Sequence, residues 1–451
     1  MDSITRKAAD FVARFDGARV PARARHAARI GFVDCVGVML AGAGEPAVRL
    51  AATIASPVPG SNEAPVAVDG QRYGAAEAAF VNGVAAHVLD FDDVALAGHP
   101  STVLVPAILA EAHALSASGE AAIDAYLVGY ELWAHLAELE PGHLHDRGFH
   151  PTAVMGTLAC AAAAARLRRL GPGETAHALA IAASLAAGLV ANFGSMTKSL
   201  HAGRTAQSGI QAARLASVGY TGSLDALEHR TGFLRAFSPS GAPDLDPAAF
   251  RIGEEWLVER FGVNIKRYPT CYATHRAIDA MIDLADAHDL AGEAVETIHV
   301  HTGATQRLML RNTRPKTGLE AKFSMEFAMA SALLARRVGL TELTDAFVGR
   351  PDIQAMLERV DVTASEESAG TDMPMAPHDL VWVTLRDGTV HRHAPVEHAR
   401  GSWQRPLERA ELEAKFRDCA EIRLSSERAA ALFAKLWDIE SVGDLRDLAL
   451  N

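Results

Sequence analysis

Small apolar residues recur every three or four positions over most of the first 235 residues, the period of packed helices. Residues 22–40 carry this spacing with charged faces, and residues 74–87 repeat it with Ala and Gly. Residues 107–117, 123–139, 152–170 and 174–189 continue it. The 152–170 helix closes on Arg166, Arg168 and Arg169 and then Leu-Gly-Pro-Gly, cations in the last turn followed by a stop. The most apolar stretch, residues 178–191, is shorter than the roughly 20 residues of a membrane span and predicts a buried helix. Near residue 263 the period changes. Residues 295–302 alternate as a strand does, and 359–363 form another short strand. Residues 380–385 and 389–393 flank an Asp-Gly turn and predict a hairpin. Helices at 274–287 and 324–338 sit among these strands, and 408–416 and 426–436 are charged helices again. The fold class expected is mainly α with an α+β part. Residues 1–263, completed by 403–451, form the helical domain, and 264–402 the smaller α+β domain.

Composition narrows the class. Hydrophobic residues make up 49% of the 451 and aromatic ones only 6%, so the core must be built from Ala, Leu and Val. Alanine is the best helix former. A net charge of −12 excludes nucleic acid or an anionic membrane as the main partner. Four scattered cysteines without a CxxC pair support neither a zinc ribbon nor a redox motif and suit a reduced cytoplasm. The N-terminal Met-Asp-Ser-Ile-Thr-Arg-Lys lacks the pattern of a signal peptide.

Chemistry concentrates in five islands. Residues 89–101 pack Asp90, Asp92, Asp93 and His99 into one loop. Asp and Ser also cap helices, which is a sufficient reading of Asp92 or Asp93 alone. Asp90 with His99 points to a carboxylate that orients an imidazole. Residues 141–152 hold His143, His145 and His150 in a Gly/Pro-punctuated loop without the helical pair of a zincin, so no metal site is expected. His150 stands at a helix entrance, where backbone N–H groups favour an anion. In the third island, Lys198, His201 and Arg204 are spaced three apart. On a helix they would share a face, either a solvated one or one that grips a di- or tricarboxylate. Residues 265–275 offer Lys266 as an anion binder or proton carrier, while Cys271 lacks the partners of a nucleophile. Residues 322–327 begin a helix that Ser324 caps. GxGxxG, P-loop, GxSxG and HExxH patterns are all missing, so nucleotide cofactors and a serine triad have no sequence support.

These islands, in this order, resemble the MmgE/PrpD family of 2-methylcitrate dehydratases, cis-aconitate decarboxylases and iminodisuccinate epimerases. The resemblance is carried by Ala-His-Val-Leu-Asp-Phe-Asp-Asp, Gly-His-Pro-Ser, Gly-Phe-His-Pro-Thr, Met-Thr-Lys-Ser-Leu-His-Ala-Gly-Arg, Tyr-Pro-Thr-Cys and Ala-Lys-Phe-Ser. It implies a large helical domain, a smaller α+β lid, and a cofactor-free cytoplasmic homodimer acting on small polycarboxylates. Matched motif to motif, the family's catalytic positions fall on Asp90, His99, His150, Lys198 and Lys266. Candidates for substrate binding are His201, Arg204, Arg267, Tyr268, Cys271 and Lys322. Val94, Cys271 and Phe327 stand where cis-aconitate decarboxylases carry polar groups, and the step to His99 is one residue shorter. The wording comes nearest the iminodisuccinate epimerase branch. The resemblance therefore implies an epimerase in which His150 and Lys198 or Lys266 carry protons and Asp90 orients His99. A dehydratase is the alternative, ahead of a decarboxylase or a non-catalytic polycarboxylate-binding homologue.

Overall fold

A computed structural model describes residues 3–55, 62–366 and 376–450, so Met1 and Asp2 of the N-terminal stretch lie outside the described residues. The chain divides into two units, Met1–Val263 with Glu408–Asn451, and Asn264–Leu407. Among the described residues it is mainly helical, with a two-stranded antiparallel sheet and a four-stranded mixed one.

In the first unit, helices Ala75–His87, Pro100–Leu115, Pro151–Leu167 and Met196–Ser217 pack against one another. The first three are buried almost all round, as helices of this composition must be. Where Ala75–His87 meets Met196–Ser217, Gly83 faces Gly203. A Cβ on Gly83 would stand 2.9 Å from the Gly203 Cα, so the two backbones touch only because neither position has a side chain. That contact fixes the end of one helix, His87, relative to the start of the other, Lys198 and His201.

Helix ends carry the chemistry. His99 and His150 each occupy an N-cap, each followed by Pro at the first helical position, where a missing N–H costs nothing. Ser195 caps Met196–Ser217 by accepting the Thr197 N–H. The expected buried helix over 178–191 stops short, at Leu185. Residues beyond it pair instead with the loop before Pro151: Gly188 O accepts the His150 N–H at 3.1 Å, and Val190 N–H reaches Gly148 O at 2.9 Å. Leu189, which a buried helix would have hidden, is 51% exposed. Backbone pairing that holds His150 competes here with helix propensity and wins.

In the second unit, the strands lie in the order Val360–Ser365, Val295–Gly303, Leu380–Leu385, Val390–Arg392. The first pair is parallel and the others antiparallel. The Asp-Gly hairpin is present, with Gly388 at φ 86°. Helices His275–Ala287 and Met325–Ala335 contribute the core with Val295, Ile298, Val300, Val381 and Val383. Ser324 caps the second of these, accepting the Phe327 N–H at 3.1 Å. That helix ends at Ala335 rather than Val338, because Arg336 turns left-handed. Among the described residues no single helix is long and apolar enough to cross a membrane.

Candidate active site

The loop between His87 and Pro100 supplies three carboxylates, and the turn at Asp90 deals them to different partners. Asp90 has φ 53°, a left-handed conformation that a non-glycine residue adopts at a cost. In extended backbone, residues i and i+2 share a face; the turn breaks that relation between Asp90 and Asp92. Asp90 Oδ1 accepts from Lys198 Nζ at 2.8 Å. Asp92, wholly buried, lies 3.0 Å from Nδ1 of His87 and 3.0 Å from Nδ1 of His99. The expectation that Asp90 orients His99 is therefore corrected: the carboxylate on His99 is Asp92, and Asp90 belongs to Lys198. Asp93 takes the capping role, accepting the Ser101 N–H at 3.2 Å at the start of Pro100–Leu115.

The imidazoles form a cluster. Ring centroids of His87 and His99 are 4.7 Å apart, those of His87 and His150 5.9 Å, and those of His99 and His150 6.4 Å. His150 and His201 bring their Nδ1 atoms to 3.2 Å, and Phe193 lies against both His150 and the Lys198 ammonium. His99 Nδ1 also faces the Asp93 carbonyl at 2.8 Å. With a carboxylate and a carbonyl both on Nδ1, that nitrogen is the donor, and Nε2 of His99 carries the lone pair.

Burial sets the charge states. It pushes His87 down to about 4, against the pull of Asp92. It holds His150 well below the ordinary imidazole range, reinforced by the neighbouring His87, Lys198, His99 and His201. His201 is lowered by burial and by Lys198. Burial opposes ionisation of Asp92, but the imidazole N–H groups of His87 and His99 overcome it and keep that carboxylate ionised. Asp93 goes the other way: burial, Asp92 and Asp34 push it well above the usual carboxylate range. Burial thus favours neutral imidazoles on His87 and His150 beside the ionised Asp92.

His87, His99 and His150 each offer a ring nitrogen within 4.8 Å of the others, and His87, Asp90 and Asp92 make a similar trio. The donors would suit a divalent ion by type. Lys198 argues against it, because its ammonium acts on His87 and His150 directly and would repel a dication in the same space. An anion fits better: the N-termini of Pro100–Leu115, Pro151–Leu167 and Met196–Ser217 all begin at or beside these side chains.

Of the predicted residues, Asp90, His99, His150, Lys198 and His201 come together in the first unit. Arg204 does not join them. It is exposed and bonds Gln207 Oε1 at 2.6 Å. A spacing of three drifts about 60° around a helix at each step, so only the first two of the three share a face. His145 lies at the edge of the cluster, its ring edge-on to the same Phe193 that packs on His150; desolvation, then the nearby His99 and His143, lower it to about 4. Lys266, Arg267, Tyr268, Cys271 and Lys322 belong to the second unit. Lys266 and Lys322 are buried, and Lys322 O accepts the Cys271 N–H at 2.8 Å. Tyr268 departs from its expected binding role: its hydroxyl is buried and donates to Asp279 Oδ1 at 2.7 Å, which ties it to the core. Phe327 is likewise fully buried core, and Val94 is buried in the first unit. Sequence reasoning passed over His87. Its signal was a histidine at the end of a small-residue helix, five positions before Asp92.

Imidazoles on a carboxylate, an ammonium and three helix N-termini thus meet in one place. Comparison with known proteins gives the family. The chain matches the MmgE/PrpD N-terminal domain over residues 6–246 and the MmgE/PrpD C-terminal domain over 268–439, and it belongs to that family. It is 32% identical to human cis-aconitate decarboxylase over 382 residues, 81% of this chain and 77% of that protein. The mouse cis-aconitate decarboxylase is 30% identical over 385 residues, 81% and 76% of the two chains. That of Aspergillus terreus is 26% identical over 322 residues, 66% and 65%. These relatives are enzymes.

Proposed function

We propose that the protein is an enzyme that removes and returns a proton α to a carboxylate of a small di- or tricarboxylate, and that its reaction is an epimerisation of an iminodisuccinate-like substrate. The observation that supports this reading is the cluster of His87, His99 and His150, the first two on Asp92, beside the Lys198–Asp90 pair. Taking the α proton leaves a carboxylate-stabilised carbanion, and a cation beside it lowers the barrier. Lys198 supplies that cation, and His99 through Nε2, or His150, can take the proton. Return of a proton on the other face completes an epimerisation and needs no acid for a leaving group. Within this reading Lys266 of the second unit is a further proton carrier, the enzyme works as a cytoplasmic homodimer, and no cofactor takes part.

Decarboxylation is the second reading, favoured by the names of the relatives at 32% and 30% identity. Against it stand Val94, Cys271 and Phe327, where the resemblance leads one to expect polar groups. Proton NMR in D₂O on iminodisuccinate, cis-aconitate, citrate, 2-methylcitrate and tartrate separates the outcomes. Exchange at the α carbon with inversion, and neither a new alkene nor CO₂, is the expected result. CO₂ from cis-aconitate would establish the second reading, and loss of water from a hydroxy acid would make the enzyme a dehydratase. No exchange and no turnover with any of the acids would defeat the reading.

A further inference from the structure

Lys415 lies on the helix Arg409–Ala420, more than 300 residues after the site loop, yet it reaches that loop's backbone. Its Nζ donates to the Phe91 carbonyl at 2.9 Å, stands 2.5 Å from Asp34 Oδ1, and lies 4.0 Å from the Phe91 ring centroid. Its side chain is 7% exposed and that of Asp34 1%. Phe91 separates the two working carboxylates, Asp90 on Lys198 and Asp92 on His87 and His99. The left-handed turn at Asp90 immediately precedes it.

A buried ion pair is a poor stabilising device, since well-packed apolar residues commonly do as well. A lysine placed here does something an apolar residue cannot. Its remaining N–H groups fix the direction of one peptide carbonyl in a loop whose backbone is strained. The direction of the Phe91–Asp92 peptide determines where the Asp92 carboxylate stands. That carboxylate holds Nδ1 of His99 as the donor and so leaves Nε2 as the base. The ammonium touches no reacting group, so its effect on turnover passes through the loop it holds, and the Asp92 carboxylate that follows Phe91 is the nearest group to feel it.

We propose that Lys415, anchored by Asp34, is a positioning residue for the reaction: it clamps the Phe91 carbonyl so that Asp92 bridges His87 and His99. The kinetic consequence rests on the proton chemistry proposed above; the structural one does not.

The test uses the full chain. Lys415→Met combined with Asp34→Leu removes both charges, so no buried charge is stranded. It is expected to fold, to lose kcat about ten- to a hundredfold and to change KM little, the pattern of misplaced geometry. The second measurement needs no substrate. The imidazole protons held by Asp92 give strongly downfield proton resonances, assigned through His87→Gln and His99→Gln, and these should shift or vanish in the variant. Arg423→Met is the control. It removes another bond from the same C-terminal segment, to the Ala67 carbonyl at 3.3 Å, and should change neither readout. If the double variant does not fold, Lys415→Arg takes its place; it keeps a cation for Asp34 but presents a planar fork to the Phe91 carbonyl. Unaltered resonances in a folded variant, or the same loss in Arg423→Met, would overturn the proposal. Wild-type protein that shows the resonances but turns over none of the acids would defeat the proposed reaction and leave the clamp standing.

Discussion

At the residue scale, the site turns on which carboxylate meets which cation. Asp92 bridges two imidazoles, and Asp90 neutralises Lys198. The two aspartates are therefore not interchangeable, though they stand two positions apart. Replacing Asp92 with Asn puts an amide between His87 and His99. An amide N–H donated to Nδ1 would force the proton onto Nε2 and remove the base. Asp92→Asn is expected to lower kcat by about 10²–10⁴, the range of a lost general base, while substrate still binds. Steady-state kinetics with the substrate identified by NMR checks this, and a kcat within a few fold of wild type would remove Asp92 from the mechanism. Lys198→Met should act differently. It takes away the charge that a carboxylate substrate and its carbanion both feel, so both KM and kcat worsen. A rise in KM alone would reduce Lys198 to a binding group.

At the element scale, helix termini and one strained loop bring these residues together. Ala95 and Gly98 exchange backbone hydrogen bonds at 3.0 and 2.8 Å around Leu96 and Ala97, which have φ 52° and 55°. A two-residue turn of this kind usually takes Asn-Gly. Ala97→Gly should relieve the left-handed strain and raise stability by about 0.5–1 kcal/mol after glycine's own entropy cost. Urea unfolding measures the gain, and an unchanged midpoint would show that the loop holds no strain there. Gly203→Ala should do the reverse, because its Cβ would run into the Phe80 carbonyl; about 1–3 kcal/mol is the usual cost of overpacking. The helices themselves were legible from the spacing of Ala, Leu and Val, and the hairpin from its Asp-Gly turn. His150 could be placed at a helix start because it precedes a proline, whereas the helix expected over 107–117 starts earlier, at Pro100, and makes His99 its N-cap. Two things were hidden. Helix periodicity places Lys198 and His201 together but says nothing of a backbone pairing such as Gly148–His150 with Gly188–Val190, which cut the 178–191 helix short. Nor does it register a left-handed residue, and the turn at Asp90 is what exchanged the partners of Asp90 and Asp92. His87 and Lys415 were overlooked for a related reason: their roles depend on contacts that no local pattern encodes.

At the scale of the whole molecule, buried imidazoles link folding to pH. His113, on Pro100–Leu115, is 3% exposed, and among the described residues neither of its ring nitrogens has a hydrogen-bond partner. Burial lowers it to about 4, reinforced by Arg72 and Arg446 and opposed by Asp444. The unfolded chain takes up this proton below about 6.5, whereas the folded chain resists until about 4. Between those values the unfolded state binds more protons, so stability falls as pH falls. At about 1.4 kcal/mol per unit, His113 alone removes up to roughly 3 kcal/mol by pH 4. Asp93 contributes with the opposite sign, since its folded pKa is raised, so the total slope mixes several groups. A difference between two proteins isolates one of them. His113→Leu should be at least as stable as wild type at pH 7, since it exchanges an unsatisfied buried ring for an apolar one. Its advantage should then grow steadily from pH 6.5 to 4, where the wild-type chain alone carries the His113 penalty. Urea midpoints for the two proteins at pH 7, 5.5 and 4.5 give that difference directly. Parallel curves across the window would mean that His113 takes up its proton equally in both states and that its burial costs nothing in acid.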